Sequence, residues 1–189
     1  MGSRNIIIVL GSPRKEGNSA TLAGQVALGA EAQGAQVERF FVSDKDVGPC
    51  TACDACRNAT VDDCVLRDDM VPLYPKLRSA DALVIASAIY WFTVSAQTKL
   101  FMDRCYALGG PQGNALAGKQ VAVILTYADP DPFCSGAVNA LRMFQDGFRY
   151  VGADLVEMIY GRAGDAGEIR SNKELMERAY RLGARLAAG

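Results

Sequence analysis

The chain contains no histidine. That absence removes Ser-His and Cys-His nucleophile pairs, imidazole metal ligands and imidazole acid-base chemistry. Any catalysis must come from carboxylates, tyrosine, lysine, cysteine or a bound cofactor. Net charge is missing too: 20 basic residues against 21 acidic ones leave a formal charge of -1. There is therefore no basic field for nucleic acid or an anionic lipid surface. Long apolar runs are also absent from the start, where MGSRNIIIVLGS carries five apolar residues closed by Gly11, too few for a signal-peptide core or a membrane span. The expectation is a soluble, cytoplasmic protein with no membrane and no nucleic-acid partner. No repeat, low-complexity tract or linker interrupts the chain, and 189 residues suit one domain with its own core.

What is present is an alternation. The β-branched apolar run at residues 6–10 has the form of a strand buried on both faces, and further strands are read at 37–42, 82–86, 121–126 and 155–160. Between them lie helical spacings: Leu22, Val26 and Ala30 after a cap at Asn18 or Ser19; a short proline-bearing piece MVPLYPKLRS; Phe101, Cys105 and Leu108; and Leu141, Phe144 and Phe148. A final helix carries Leu175, Ala179, Leu182 and Leu186 behind a capping box at residues 171–174. The fold class is α/β, a doubly wound sheet of five parallel strands with helices on both faces. It is read as one domain over residues 1–189, with a cysteine-rich insertion at about 48–69.

In such sheets ligands bind beyond the carboxyl ends of the strands, where the strand order reverses. The loop after the first strand, GSPRKEGNS, brings a glycine turn, the Arg14 cation, Ser12, Asn18 and Ser19 to a helix N-terminus. Free N–H groups and the helix dipole there favour an anion, and something phosphorylated is the natural ligand. An ordinary capped turn would explain Gly17, Asn18 and Ser19 but not Arg14. It is no nucleoside-triphosphate P-loop, since five residues rather than four separate Gly11 from Gly17, and it is not GxGxxG. After the third strand, Tyr90, the single tryptophan Trp91, and Phe92 offer flat surface for a planar ring, or packing for a core or subunit interface. The third loop, TYADPDPFCSG, could close over the same ligand.

GSPRKEGNSATL together with AIYWFTVSAQTKLFMDR resembles the NAD(P)H-dependent FMN reductase family, and the cysteines resemble its iron-sulfur flavoprotein branch. The resemblance implies a flavodoxin-like fold binding FMN. Its phosphate maps onto Ser12, Arg14, Asn18, Ser19 and the backbone at Ala20, and its ring onto Ala88, Ile89, Tyr90, Trp91 and Phe92. Thr126, Tyr127 and Ala128 are further ring contacts. The sequence departs from the family in carrying Ala88 where many members have proline, and TYADPDPF where many have a glycine-rich loop. NAD(P)H is implied as a transient electron donor, with a flavin, quinone, azo or nitro compound or a protein as acceptor, in a homodimer or homotetramer. No catalytic side chain is demanded, since hydride moves directly to the ring. Without a separate dinucleotide fingerprint, donor and acceptor would visit the same face in turn, giving ping-pong kinetics. The alternative is an iron-sulfur electron carrier that accepts electrons from ferredoxin.

Cys50, Cys53, Cys56 and Cys64 lie at spacings of two, two and seven intervening residues. Thiolates select zinc or iron-sulfur clusters, and successive CxxC steps with a local fourth cysteine suit a [4Fe-4S] cluster better than tetrahedral zinc. Free thiols or a reversible disulfide are the other readings. Cys105 reads as core, and Cys134, in the third loop, as a small filler in preference to a thiol near the flavin. The acidic runs at 44–46, 62–63 and 67–69 read as solvated loop charges.

Overall fold

The first apolar run forms β1 (Asn5–Leu10) in the computed structural model, which describes residues 2–58, 61 and 63–189. In chain order there follow α1 (Asn18–Glu31), β2 (Gln36–Phe41), α2 (Leu73–Ser79), β3 (Ala82–Tyr90), β4 (Thr93–Val94), α3 (Ala96–Arg104), the hairpin strands β5 (Gly109–Gly110) and β6 (Gly113–Asn114), β7 (Gln120–Tyr127), α4 (Ala137–Val151), β8 (Asp154–Arg162) and α5 (Lys173–Ala188). Five strands run parallel in the order β2-β1-β3-β7-β8. The chain moves outward one way from β1 to β2 and the other way from β3 onward, so the order reverses between β1 and β3, where a crevice opens.

Alternation within each strand divides the core. Ile6, Ile8 and Leu10 of β1 face α1 and α5, as do Val84 of β3 and Ile124 of β7. Ile7, Val9, Leu83, Ile85, Val121, Val123 and Leu125 face α2, α3 and α4. Side chains of successive strand residues point to opposite faces, so a run apolar at every position requires a layer of helices on each side. On the first face, α1 and α5 pack backbone to backbone: a side chain at Gly29 would strike the Tyr180 carbonyl, and one at Gly183 the Val26 carbonyl.

Two helix starts differ from the sequence expectation. Gly17, not a side chain, occupies the N-cap position of α1, and the Asn18 amide is used elsewhere. Asn172, not Ser171, caps α5 by accepting the Leu175 N–H, because the residues before it wind into a separate turn in which the Ser171 hydroxyl donates to the Glu168 carbonyl. β3 also runs to Tyr90, beyond its apolar stretch. Among the described residues no helix is long and apolar enough to cross a membrane.

Candidate functional site

The carboxyl ends of β1, β3 and β7 and the loop after β8 border one cleft. It is lined by Ser12, Arg14, Gly17, Asn18 and Ser19, by Ala88, Ile89 and Tyr90, by Thr126, Tyr127 and Ala128, and by Ala163, Gly164 and Ala166. Three stretches far apart in sequence meet there because all three parent strands are parallel neighbours. Ala20, Trp91 and Phe92 do not line it. Ala20 packs half-buried beside the core, while Trp91 is 91% and Phe92 57% exposed.

One end of the cleft gathers Ser12, Arg14 and Ser19 at the start of α1. Arg14 N–H donates to the Ser12 hydroxyl at 3.2 Å, folding the loop over the start of α1, which no side chain caps. Ser19 is 1% exposed and its hydroxyl has no partner among the described residues. A buried hydroxyl left unmade costs about 1–3 kcal/mol, so the arrangement asks for an acceptor or donor from outside the chain. Asn18 lines the cleft, yet its amide donates to the carbonyls of Ala163 (3.1 Å) and Asp165 (2.8 Å) and accepts the Ile169 N–H. Its structural work is to hold the loop after β8 against the first loop. Glu168 secures the same loop by accepting the N–H groups of Gly164 and Asp165, which hold its carboxyl below its ordinary range.

A buried hydroxyl cluster fixes the first two loops to each other. Ser95, the N-cap of α3, donates to the Gly11 carbonyl at 2.6 Å and accepts from Thr98 N–H; Thr98 donates to the Ser87 hydroxyl at 2.9 Å. Gly11 must lack a side chain, because a Cβ there would strike the Thr98 hydroxyl. Beyond β3 the chain reverses at Trp91 and Phe92, both with positive φ (50° and 65°), and β4 pairs back through Tyr90 with Thr93. Two left-handed non-glycine residues in a row are costly and persist only when the surroundings fix them. Here Asn139 donates to the Phe92 carbonyl at 3.0 Å, and the left-handed Gly136 lies so close to Phe92 that no side chain fits. These supporting residues went unread in the sequence. The hydroxyls at 87, 95 and 98, grouped between an apolar strand and helix, were the available signal.

The cysteine segment lies between β2 and α2. Cys50, Cys53, Cys56 and Cys64 line one small cavity with Asp103, Arg104 and Tyr106. They surround it: among the described residues no three Cys, Asp or Glu side chains converge as ligands of a single ion. Cys53 sits between the left-handed Ala52 and Asp54, and the Ala55 N–H and Thr51 hydroxyl pull its thiol down. Burial, then the neighbouring Cys64, pushes the Cys56 thiol up. Residues 59, 60 and 62 of this segment, Asp62 of the acidic run included, lie outside the described residues.

Both ends of the segment are clamped by one guanidinium. Arg104, 1% exposed at the end of α3, pairs with Asp68 and donates to the Gly48 carbonyl at 2.8 Å, while Asp68 also accepts Gly48 and Met70 N–H groups. Burial alone would raise the Asp68 carboxyl, but these donors hold it below its ordinary value. Asp68 is therefore not a solvated charge as its sequence context suggested; its partner lies 36 residues away. Asp44 and Asp63 do pair at the surface, with Lys15 and Arg78. Cys134 is exposed, its thiol donating to Asp131 at 3.3 Å, and so is no core filler.

The family model of the NADPH-dependent FMN reductases matches residues 4–152. An iron-sulfur flavoprotein of Archaeoglobus fulgidus is 37% identical over 120 residues, covering 64% of this chain and 53% of that protein. Another from Methanosarcina thermophila is 38% identical over 100 residues, 53% of this chain and 51% of that one. The chain thus spans about half the length of these relatives. Among solved structures, an NAD(P)H:quinone oxidoreductase from Methanothermobacter marburgensis superposes with a TM-score of 0.74 at 18% identity, over 98% of both chains. The Trp repressor binding protein from Bacillus subtilis does so at 0.68 and 23%, over 94% of this chain and 99% of that one. These two likenesses concern the fold, which is flavodoxin-like. With the parallel sheet, its crevice and a family match over most of its length, the chain belongs to the NADPH-dependent FMN reductase family.

Proposed function

We propose that this protein is an FMN-dependent oxidoreductase that takes electrons from NAD(P)H and delivers them to a small acceptor. The observation that carries this reading is the cleft in which Ser12, Arg14 and the unpartnered Ser19 hydroxyl meet Ala88–Tyr90 and Thr126–Ala128. The anion end fits a phosphate: Arg14 supplies charge, Ser12 and Ser19 supply hydroxyls, and the uncapped start of α1 supplies N–H groups. Tyr90, Ala88 and Ile89 give a planar ring an apolar wall, and Thr126 with Tyr127 borders it from the next strand. When bound, FMN supplies hydride acceptance from a nicotinamide and electron donation onward. The residues of the chain orient the ring and exclude water, and none is required to move a proton.

The test has two parts. Ser19→Ala should leave the flavin-free protein as stable as before or up to ~1 kcal/mol more stable, since it removes an unsatisfied hydroxyl, while weakening FMN retention severalfold. Steady-state rates with varied NADPH and a quinone should give parallel lines in double-reciprocal plots; converging lines would mean that both substrates occupy the protein together.

A second reading is supported by the four thiols around one cavity. They fit a [4Fe-4S] cluster, which supplies single-electron transfer, and the archaeal relatives carry iron-sulfur in their names. In that reading ferredoxin is the electron source. Iron, labile sulfide and flavin assayed on anaerobically purified protein separate the two: flavin without iron or sulfide supports the reductase alone.

A further inference from the structure

The cysteine segment borders a second, larger cavity of about 510 Å³. It opens between α3, the end of α4 and the β5-β6 hairpin, with Leu83 and Ile85 of β3 as its floor. Cys50, Ala52 and Asp54 form a wall common to this cavity and the thiol-lined one. No residue lines both it and the flavin cleft. The volume lies in the range of small-molecule sites, and such sites combine mostly apolar walls with a few convergent polar groups.

Three observations give it the character of a ligand site. Gly147 of α4 lines the cavity, and a side chain there would meet nothing within 4 Å, so this helix position leaves space open where packing is ordinarily tight. Cys105, half-buried, lines this space, and burial pushes its thiol up to about 12. The polar groups converge with a definite preference. Arg57 lies over the Tyr106 ring at 4.0 Å, and its Nε is buried with no partner among the described residues. Asn114 uses its carbonyl on Leu116 N–H, which leaves its amide as a donor. Asp54 and Asp103 line the cavity as well, Asp103 paired with Lys99 and Asp54 accepting from the Tyr106 hydroxyl, so the lining has no excess of positive charge for an anion.

We propose that this cavity is a second ligand site, taking a flat, uncharged, largely apolar molecule with a ring carbonyl, the chemistry of a quinone. Apolar walls from Phe101, Leu116 and Phe148 hold the ring, and Arg57 with Asn114 donates to the carbonyl at the cysteine side. The site goes beyond the flavin reading and does not depend on it.

The probe is 2,3-dimethyl-1,4-naphthoquinone, whose methyl groups block the ring positions at which a thiol would add. Equilibrium dialysis against the purified full chain, with flavin content measured on each sample, should show one saturable site that excess FMN does not abolish. Gly147→Leu fills the cavity and should weaken binding at least tenfold, with unchanged flavin content and circular dichroism; Gly147→Ala should stay within about twofold. If Gly147→Leu does not fold, Arg57→Met, which removes the donor and keeps the bulk, should weaken binding about fivefold. Displacement of the probe by FMN would place it in the flavin cleft and overturn the proposal, as would no saturable binding. So would a Gly147→Leu protein with a changed particle mass by light scattering and unchanged probe binding, which would assign the cavity to a second copy of the chain. A protein that takes up no FMN when it is added, yet binds the probe in a Gly147-dependent way, would sink the flavin reading and leave this one standing.

Discussion

The Ser95 hydroxyl holds together two loops that the sequence separates by more than eighty positions. It caps α3 through Thr98 N–H, donates to the Gly11 carbonyl at 2.6 Å and lies 2.9 Å from the Thr98 hydroxyl. Ser95→Ala would leave the Gly11 carbonyl and the capped Thr98 N–H without their buried partner, so the expected loss is about 2–3 kcal/mol in urea unfolding, with faster release of flavin. A loss below about 0.5 kcal/mol would mean that water replaces the hydroxyl. At this scale the sequence was readable where a residue acts through its own type. Arg14 and Ser12 border the cleft as their loop suggested. It was unreadable where a partner decides the role: Asn18 looked like a cap and instead reaches residues 163–169, on the far side of the chain.

At the scale of elements, the contact of α1 with α5 reverses an ordinary rule. Alanine is favoured over glycine by about 1 kcal/mol inside a helix, and Gly24→Ala, with open space around it, should stabilise by up to that amount. Gly183→Ala should instead destabilise by about 1–3 kcal/mol, because the new methyl meets the Val26 carbonyl of the partner helix. Thermal unfolding of the two variants should move in opposite directions. The cysteine segment gives a second test. Arg104→Met leaves Asp68 buried and unpaired, an expected cost of about 3–5 kcal/mol, and should speed labelling of Cys50, Cys53, Cys56 and Cys64 by a thiol reagent. Adding Asp68→Asn should recover part of the stability, and a double-mutant cycle with no coupling would refute the clamp.

For the whole molecule, two carboxylates set the acid limit. Burial works against both Asp68 and Glu157, yet Arg104 holds the first below its ordinary range, and Arg178 with Arg185 holds the second there. A depressed folded value means stability that is fully present above the unfolded carboxylate value of about 4 and lost as pH falls through the folded one. Unfolding free energy should therefore be flat with respect to these groups at neutral pH and fall below about pH 4. Asp68→Asn should flatten that acid limb, as read by circular dichroism against pH.

The sequence by itself determined the alternation of five strands with helices, the loops that meet the crevice, and the exclusion of imidazole chemistry. Those follow from periodicity and composition, which are local. The β8 loop, the hydroxyl cluster, the left-handed turn at Trp91 and Phe92, the Arg104 clamp and the cavity beside Gly147 were decided only in three dimensions. Each depends on groups brought together by the parallel sheet from distant positions, and neither propensity nor spacing records which of them will touch.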